Sequence, residues 1–251
     1  MGVDENDAAH YPVNKLRNLA MEKVKTSHML VTDVDMWPDA GAYDGLLTLY
    51  AREPERFEDP RSALVLAAFS RRRFCKDLHQ CLKYARIVPS NFKELQKCWA
   101  AGSCEMFDAR NTRGQGTGLR YFSLHKGGSG ENLRLERISC FDSPRQVFEP
   151  YLVVQRSGVL PRFDERFTGY GKNKIQWINE LRYMSYTFYV VPGNFVIHAP
   201  HPKSRAKAHW ERARNRNGYK LMDTLFNSFM KDLRRRADKS RITTRLCTEG
   251  R

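Results

Sequence analysis

Three groups of residues in this chain have types and spacings that could do chemistry. The first is Asp33 and Asp35, two aspartates two apart at the end of the run HMLVTDVD, residues 28–35. On a strand, alternation would point both carboxylates the same way, toward the crevice that open α/β sheets form at their strand ends. Two hard oxygens there suit a divalent cation, which can in turn bridge two phosphates. Paired acids after a strand also occur as turn formers and in phosphotransferases. The second group is His198-Ala199-Pro200-His201-Pro202-Lys203, which follows another apolar run. A neutral imidazole at His198 would extend an oxygen shell into the mixed set that suits Mn²⁺, and Lys203 could pair with a diphosphate. The bland alternative is a histidine hydrogen-bonded at a strand end. The third group is FDERFTGYGKNKIQW, residues 163–177, where Asp164 and Glu165 precede Gly169 and Gly171. Those glycines would let the backbone approach a ligand closely, and Lys172-Asn173-Lys174 leads into a helix whose N-terminus favours an anion. The block lacks the G-x-x-x-x-G-K-[ST] spacing of a P-loop and reads equally as a glycine-bearing turn that caps a helix.

The elements that must position these residues alternate between helical and strand periods. Val13, Leu16, Leu19, Ala20 and Val24 share one face of a helix that starts after Pro12. Met29, Leu30, Val31 and Val34 predict a buried, parallel-type strand ending in the two acids, stopped by Trp37-Pro38-Asp39. Residues 42–50 read as a helix, 63–69 (ALVLAAF) as a second apolar strand, and 74–97 as a basic helical stretch. Residues 111–130 contain six glycines among polar neighbours and read as a long surface loop. Residues 147–156 are a strand, 173–184 a helix, and 187–192 and 194–201 two further strands. A closing helix carries a stripe of Leu221, Leu225, Phe229 and Leu233 and runs into a basic tail. Such an order predicts an α/β fold.

At 251 residues with 41% hydrophobic residues, the chain is long enough for one sizeable core. Its 43 Lys and Arg against 28 Asp and Glu leave a net charge of +15, which admits a polyanionic partner without choosing among nucleic acid, a nucleotide diphosphate, an acidic glycan or a membrane surface. The excess is concentrated at 71–73, 203–216 and 231–251, runs that read equally as solvated faces. The six cysteines contain no C-x-x-C pair, so spacing gives no support for a zinc site. Four of them, between positions 75 and 104, suit one or two disulfides in an oxidising compartment or else buried free thiols. No apolar run approaches the roughly 18 residues of a membrane span, and residues 1–15 carry no hydrophobic signal core.

Taken in order, YPVNKLRNLA (11–20), VTDVDMWP (31–38), FEPYLVVQR (148–156), FDERFTGYGKNK (163–174) and VIHAPH (196–201) resemble the glycosyltransferase family 49 domain. That domain occurs in LARGE-type xylosyl- and glucuronyltransferases and in the related β-1,4-glucuronyltransferase. The resemblance implies a GT-A-like single domain with a mixed central sheet flanked by helices. The activity it implies is metal-dependent, inverting transfer of a sugar, glucuronic acid in known members, from a UDP-sugar to a glycan hydroxyl. By position, Asp33, Asp35 and His198 would hold Mn²⁺ or Mg²⁺, with His201 a further imidazole nearby. Asn14, Arg17 and Asn18 would contact the donor, together with Gly169, Gly171, Asn173 and, at the diphosphate, Lys203. Inversion needs a carboxylate base on the face opposite the leaving group; Asp164 is the expected base, Glu165 its reserve, and Glu149 would orient sugar hydroxyls. The expected division is a partial transferase domain over 1–232 and a basic tail over 233–251. The usual β-α-β portion ahead of the Tyr-Pro-Val-Asn block has no counterpart in the ten residues before Tyr11, so an N-terminal truncation is expected. Golgi location and a membrane anchor are implied only for a full-length form. The rival readings are a basic nucleic-acid-binding protein, which leaves the acid-bearing blocks unexplained, and an inactive family member acting as a scaffold.

Overall fold

A computed structural model of the protein describes residues 10–72, 75–108, 121, 133–141, 148–202 and 220–247. Its centre is a mixed sheet of seven strands. The main path, edge to edge, is β1 (His28–Val31), β7 (Tyr151–Gln155), β3 (Ser62–Arg71), β8 (Thr187–His198) and β2 (Met36–Pro38). Two short strands extend it: β4 (Cys104–Met106) pairs with β3, and β5 (Glu136–Arg137) with β8. Only β3 and β8 run parallel among these pairs. The mixed α/β architecture expected from the sequence is therefore present.

The run ALVLAAF shows why its strand is central. Ala63 and Val65 face a cluster with Leu152, Trp177, Ile178 and Leu181, while Leu64 and Leu66 face another with Leu49, Phe57, Val153 and Val196. A strand covered on both faces must be apolar at every position. Helix α6 (Ile175–Tyr183) supplies the first layer, and α2 (Ala42–Arg52) and α3 (Pro54–Glu58) the second. Gly45 lets α2 approach β8 closely, since a Cβ there would lie 2.1 Å from Asn194 Oδ1. Residues 78–100 form two helices, α4 (Leu78–Ala85) and α5 (Phe92–Ala100), each begun by a side-chain cap, Asp77 and Asn91.

Several expectations need correcting. Strand β1 is a half-buried edge strand antiparallel to β7, not a buried parallel one; it ends at Val31, and Val34 is 97% exposed on the turn that follows. Residues 187–198 are one strand, because Gly193 at φ +81° and a shift of register between Val65 and Ala67 absorb the irregularity of Pro192-Gly193 as a bulge. Helix α1 (Val13–Lys23) inverts the amphipathic reading: Asn14 and Asn18 are buried, whereas Leu16 and Leu19 are 42% and 44% exposed. The last helix, α7 (Lys220–Arg236), turns Phe226, Phe229, Met230 and Leu233 inward and leaves Leu221 exposed. Beyond it the chain does not trail away, since β9 (Arg245–Leu246) pairs with β6 (Cys140–Phe141). All six cysteines are paired: Cys75 with Cys81, Cys98 with Cys104, and Cys140 with Cys247. Among the described residues no helix is long and apolar enough to cross a membrane.

Candidate active site

The carboxyl ends of β3 and β8 lie side by side, with Ser70 opposite His198. Antiparallel pairing of β2 with β8 places Met36 opposite the same histidine, so Asp35, one residue earlier, is brought alongside, and Ala199 N–H donates to the Asp35 carbonyl at 2.7 Å. Register thus joins residues that stand 163 positions apart in the numbering of the two ends, Asp35 and His198. His198 Nε2 lies 3.4 Å from Asp35 Oδ2; His201 Nε2 lies 3.1 Å from that oxygen and 3.2 Å from His198 Nε2. Phe107 stacks on the His198 ring at 5.1 Å, which holds its plane. The hydrogen bond from His198 leads the influences that lower the Asp35 pKa, against the opposing effect of burial.

Ligand atoms around an ion at about 2.1 Å stand about 3.0–3.4 Å from one another in octahedral or tetrahedral sets. Asp35, His198 and His201 meet that spacing without moving and offer one hard oxygen and two imidazole nitrogens. They fit a divalent cation.

Asp33 faces elsewhere. Residues 33–36 form a turn, with Met36 N–H donating to the Asp33 carbonyl at 3.0 Å, so strand alternation does not apply and the two aspartates diverge. Lys174 Nζ donates to Asp33 Oδ2 at 2.6 Å, Tyr151 Oη to the same oxygen at 3.2 Å, and Arg17 Nη2 to Oδ1 at 3.0 Å. Burial alone would raise the Asp33 pKa, yet Lys174 and Arg17 together outweigh it and hold the group at about 2. Burial and the charge of Asp33 push the Tyr151 phenol up.

The block at 163–174 is tied to α1 by amides. Asn14 Nδ2 donates to the carbonyls of Asp164 and Asn173, both at 2.9 Å; Asn18 Nδ2 donates to the Phe163 carbonyl and to Glu165 Oε1, both at 2.9 Å. With exposures of 0% and 1%, these asparagines join two chain segments rather than open onto a ligand. Gly169 and Gly171 adopt φ of +57° and +92°, which a side chain would disfavour, and Asn173 Nδ2 closes the turn on the Gly169 carbonyl. The glycines therefore serve the turn. Asp164 is gripped through both oxygens by Arg166, whose Nε lies 2.9 Å and 3.0 Å away; burial raises its pKa, but Arg166 prevails and lowers it. Glu149 is pushed up by burial, against the pull of Lys174. Lys203 lies outside the described residues.

Tyr151 and Lys174, which both reach Asp33, stand in the blocks that carry the resemblance, but composition and spacing give neither a site role. His201, expected only as a further imidazole near the ion, joins Asp35 and His198 in the cluster, whereas Asp33 does not.

The family profile described as "Glycosyl-transferase for dystroglycan" matches residues 2–236. The chain belongs to this family. It is 31% identical over 232 residues to the mouse "Xylosyl- and glucuronyltransferase LARGE1", covering 90% of this chain and 27% of that protein. It is 32% identical over 236 residues to the mouse "Xylosyl- and glucuronyltransferase LARGE2", covering 92% and 30%. A "Glycosyltransferase-like protein gnt14" of Dictyostelium discoideum is 31% identical over 202 residues, 78% of this chain. The family 49 chain thus spans less than a third of the length of these LARGE relatives.

Proposed function

We propose that this family 49 chain forms the donor site of a metal-dependent, inverting glycosyltransferase. It would move a sugar, glucuronic acid, from a UDP-sugar to a hydroxyl of a glycan. The observation that carries the reading is the convergence of Asp35, His198 and His201 within 3.4 Å of one another. These three are the resident ligands in this reading. Asp33, the ligand expected from the sequence, would join them only on leaving Lys174 and Arg17.

When bound, the ion supplies Lewis-acid stabilisation of the departing diphosphate. Phe107 and Asp35 keep His198 oriented before donor arrives. Arg17, the donor contact expected from α1, is held by the side chains of Asn14 and Asn173 and reaches Asp33. Asp164 is the proposed base: its bidentate pair with Arg166 holds it ionised, and Arg166, whose side chain is 61% exposed against 15% for Asp164, has to release it before it can take a proton. Glu149, held toward its neutral form by burial, suits hydrogen bonding to sugar hydroxyls rather than proton abstraction. Three disulfides support an oxidising compartment, in keeping with a Golgi lumen.

Calorimetric titration of UDP with and without Mn²⁺, followed by a transfer assay, tests this. Asp35→Asn should abolish the Mn²⁺-dependent part of UDP binding with little loss of fold, because a ligand charge is removed at the rim of the core. Asp164→Asn should bind donor normally and lose transfer. Mn²⁺-dependent binding that survives Asp35→Asn overturns the metal site; transfer that survives Asp164→Asn moves the base to Glu165.

A further inference from the structure

Lys174 belongs neither to the imidazole cluster nor to the acids, and nothing about the ion requires it. Its side chain is 4% exposed, yet its ammonium lies 2.6 Å from Asp33 Oδ2 and 4.3 Å over the Tyr151 ring. Arg17 reaches the other oxygen of Asp33 from α1 and is 18% exposed. Its Nη1 donates to Asn14 Oδ1 at 3.0 Å and to Asn173 Oδ1 at 2.9 Å. A guanidinium has five N–H donors. Nη1 uses both of its own and Nη2 one, so Nε and one Nη2 proton have no partner among the described residues.

Two basic side chains therefore share the Asp33 carboxylate. Glu149, a buried acid whose field also reaches Asp33, Lys174 and Arg17, is pushed up by that burial. Withdrawing an ammonium from water is unfavourable unless anions complete its surroundings. The neighbouring Lys172 escapes that cost: its backbone is at φ +61°, and its ammonium sits over the Phe226 ring, 3.9 Å from Asp223 on α7. The turn at 169–172 thus separates two lysines, one for packing and one for the site.

We propose that Lys174 and Arg17 form a seat for one anionic oxygen group of the donor, the sugar carboxylate or a phosphate. In it Asp33 is the counter-ion that holds both cations in place, and the Asn14 and Asn173 amides orient Arg17. This rests on the donor-site reading above and adds the residues that recognise the donor's charge. Arg17 is a preorganised fork, so little side-chain entropy remains to be lost when an anion docks.

The test is calorimetric binding, in Mn²⁺, of UDP, UDP-xylose and UDP-glucuronate to the full chain, to Lys174→Met and to Arg17→Gln. Circular dichroism establishes that each variant is folded. Affinity for UDP-glucuronate should fall about tenfold or more in both variants, as expected for loss of a charge-assisted contact. If UDP and UDP-xylose keep their affinity, the seat takes the carboxylate; if all three fall alike, it takes a phosphate. Should Lys174→Met fail to fold, Arg17→Gln decides alone, its side chain being the less enclosed of the two. Wild-type affinity for all three nucleotides in a folded variant overturns the seat and leaves the donor site standing. Failure of the wild type to bind any of them overturns the donor site, and the seat with it.

Discussion

Replacing Asp33 by Asn removes the charge on which Lys174 and Arg17 converge while preserving side-chain shape. The folded-state pKa of about 2, against an ordinary 3.8, measures how much better the folded protein tolerates the ionised form. At about 1.4 kcal/mol per pKa unit the difference amounts to roughly 2.5 kcal/mol. Asp33 is 34% exposed in its side chain, so solvent screening reduces the figure to about 1–2 kcal/mol. Because the folded pKa is depressed, this stability is fully present above the unfolded pKa near 3.8 and is lost as pH falls through about 2. Asp33→Asn should therefore be less stable than wild type by about 1–2 kcal/mol at pH 7. The gap should close in acid, where the wild type itself presents a neutral group to Lys174. Urea unfolding at pH steps from neutrality to the acid limit, with disulfides intact, reads this as a converging pair of midpoints. A gap of constant size across the pH range, or no gap at neutrality, would refute the pairing of Asp33 with the two cations.

Gly45→Ala should lower the thermal midpoint, since the new Cβ would lie 2.1 Å from Asn194 Oδ1 and 2.8 Å from its Cγ. Displacing Asn194 would also disturb the hydrogen bond that its Nδ2 donates to Asp39 Oδ1 at 3.1 Å, and a loss of about 1–3 kcal/mol is expected. An unchanged melting curve would mean that α2 can shift away from β8 freely. Changing Cys140 and Cys247 together to Ser opens a crosslink of sequence separation 107, whereas Cys98 with Cys104 closes one of only 6. Loop-closure entropy then predicts losses of roughly 5 and roughly 2 kcal/mol respectively. Equal losses by denaturant titration would show that chain entropy is not what the long crosslink contributes.

Much of the sheet was legible because a strand's environment dictates its composition. The run at 63–69 is unbroken by polar residues since both faces are covered, and the structure extends it only to Ser62 and Arg71. Helix α1 was placed correctly but turned the wrong way. Its Asn14 and Asn18 can be buried because the carbonyls of Phe163, Asp164 and Asn173 accept their amides, and those partners lie about 150 positions away in the chain. No periodicity within residues 13–24 encodes that.

The same division runs through the site. From residue types and their order alone came the family, the α/β class and the small set of acids and histidines from which any ion site must be drawn, because these depend on local composition and on blocks that follow one another. Which members meet was decided by tertiary structure. Asp35 joins His198 and His201 through the register of β2 on β8, and Asp33 turns to Lys174, 141 positions away, because residues 33–36 bend instead of continuing a strand. Side-chain direction follows backbone torsion, and a distant partner follows strand register; spacing along the chain carries neither.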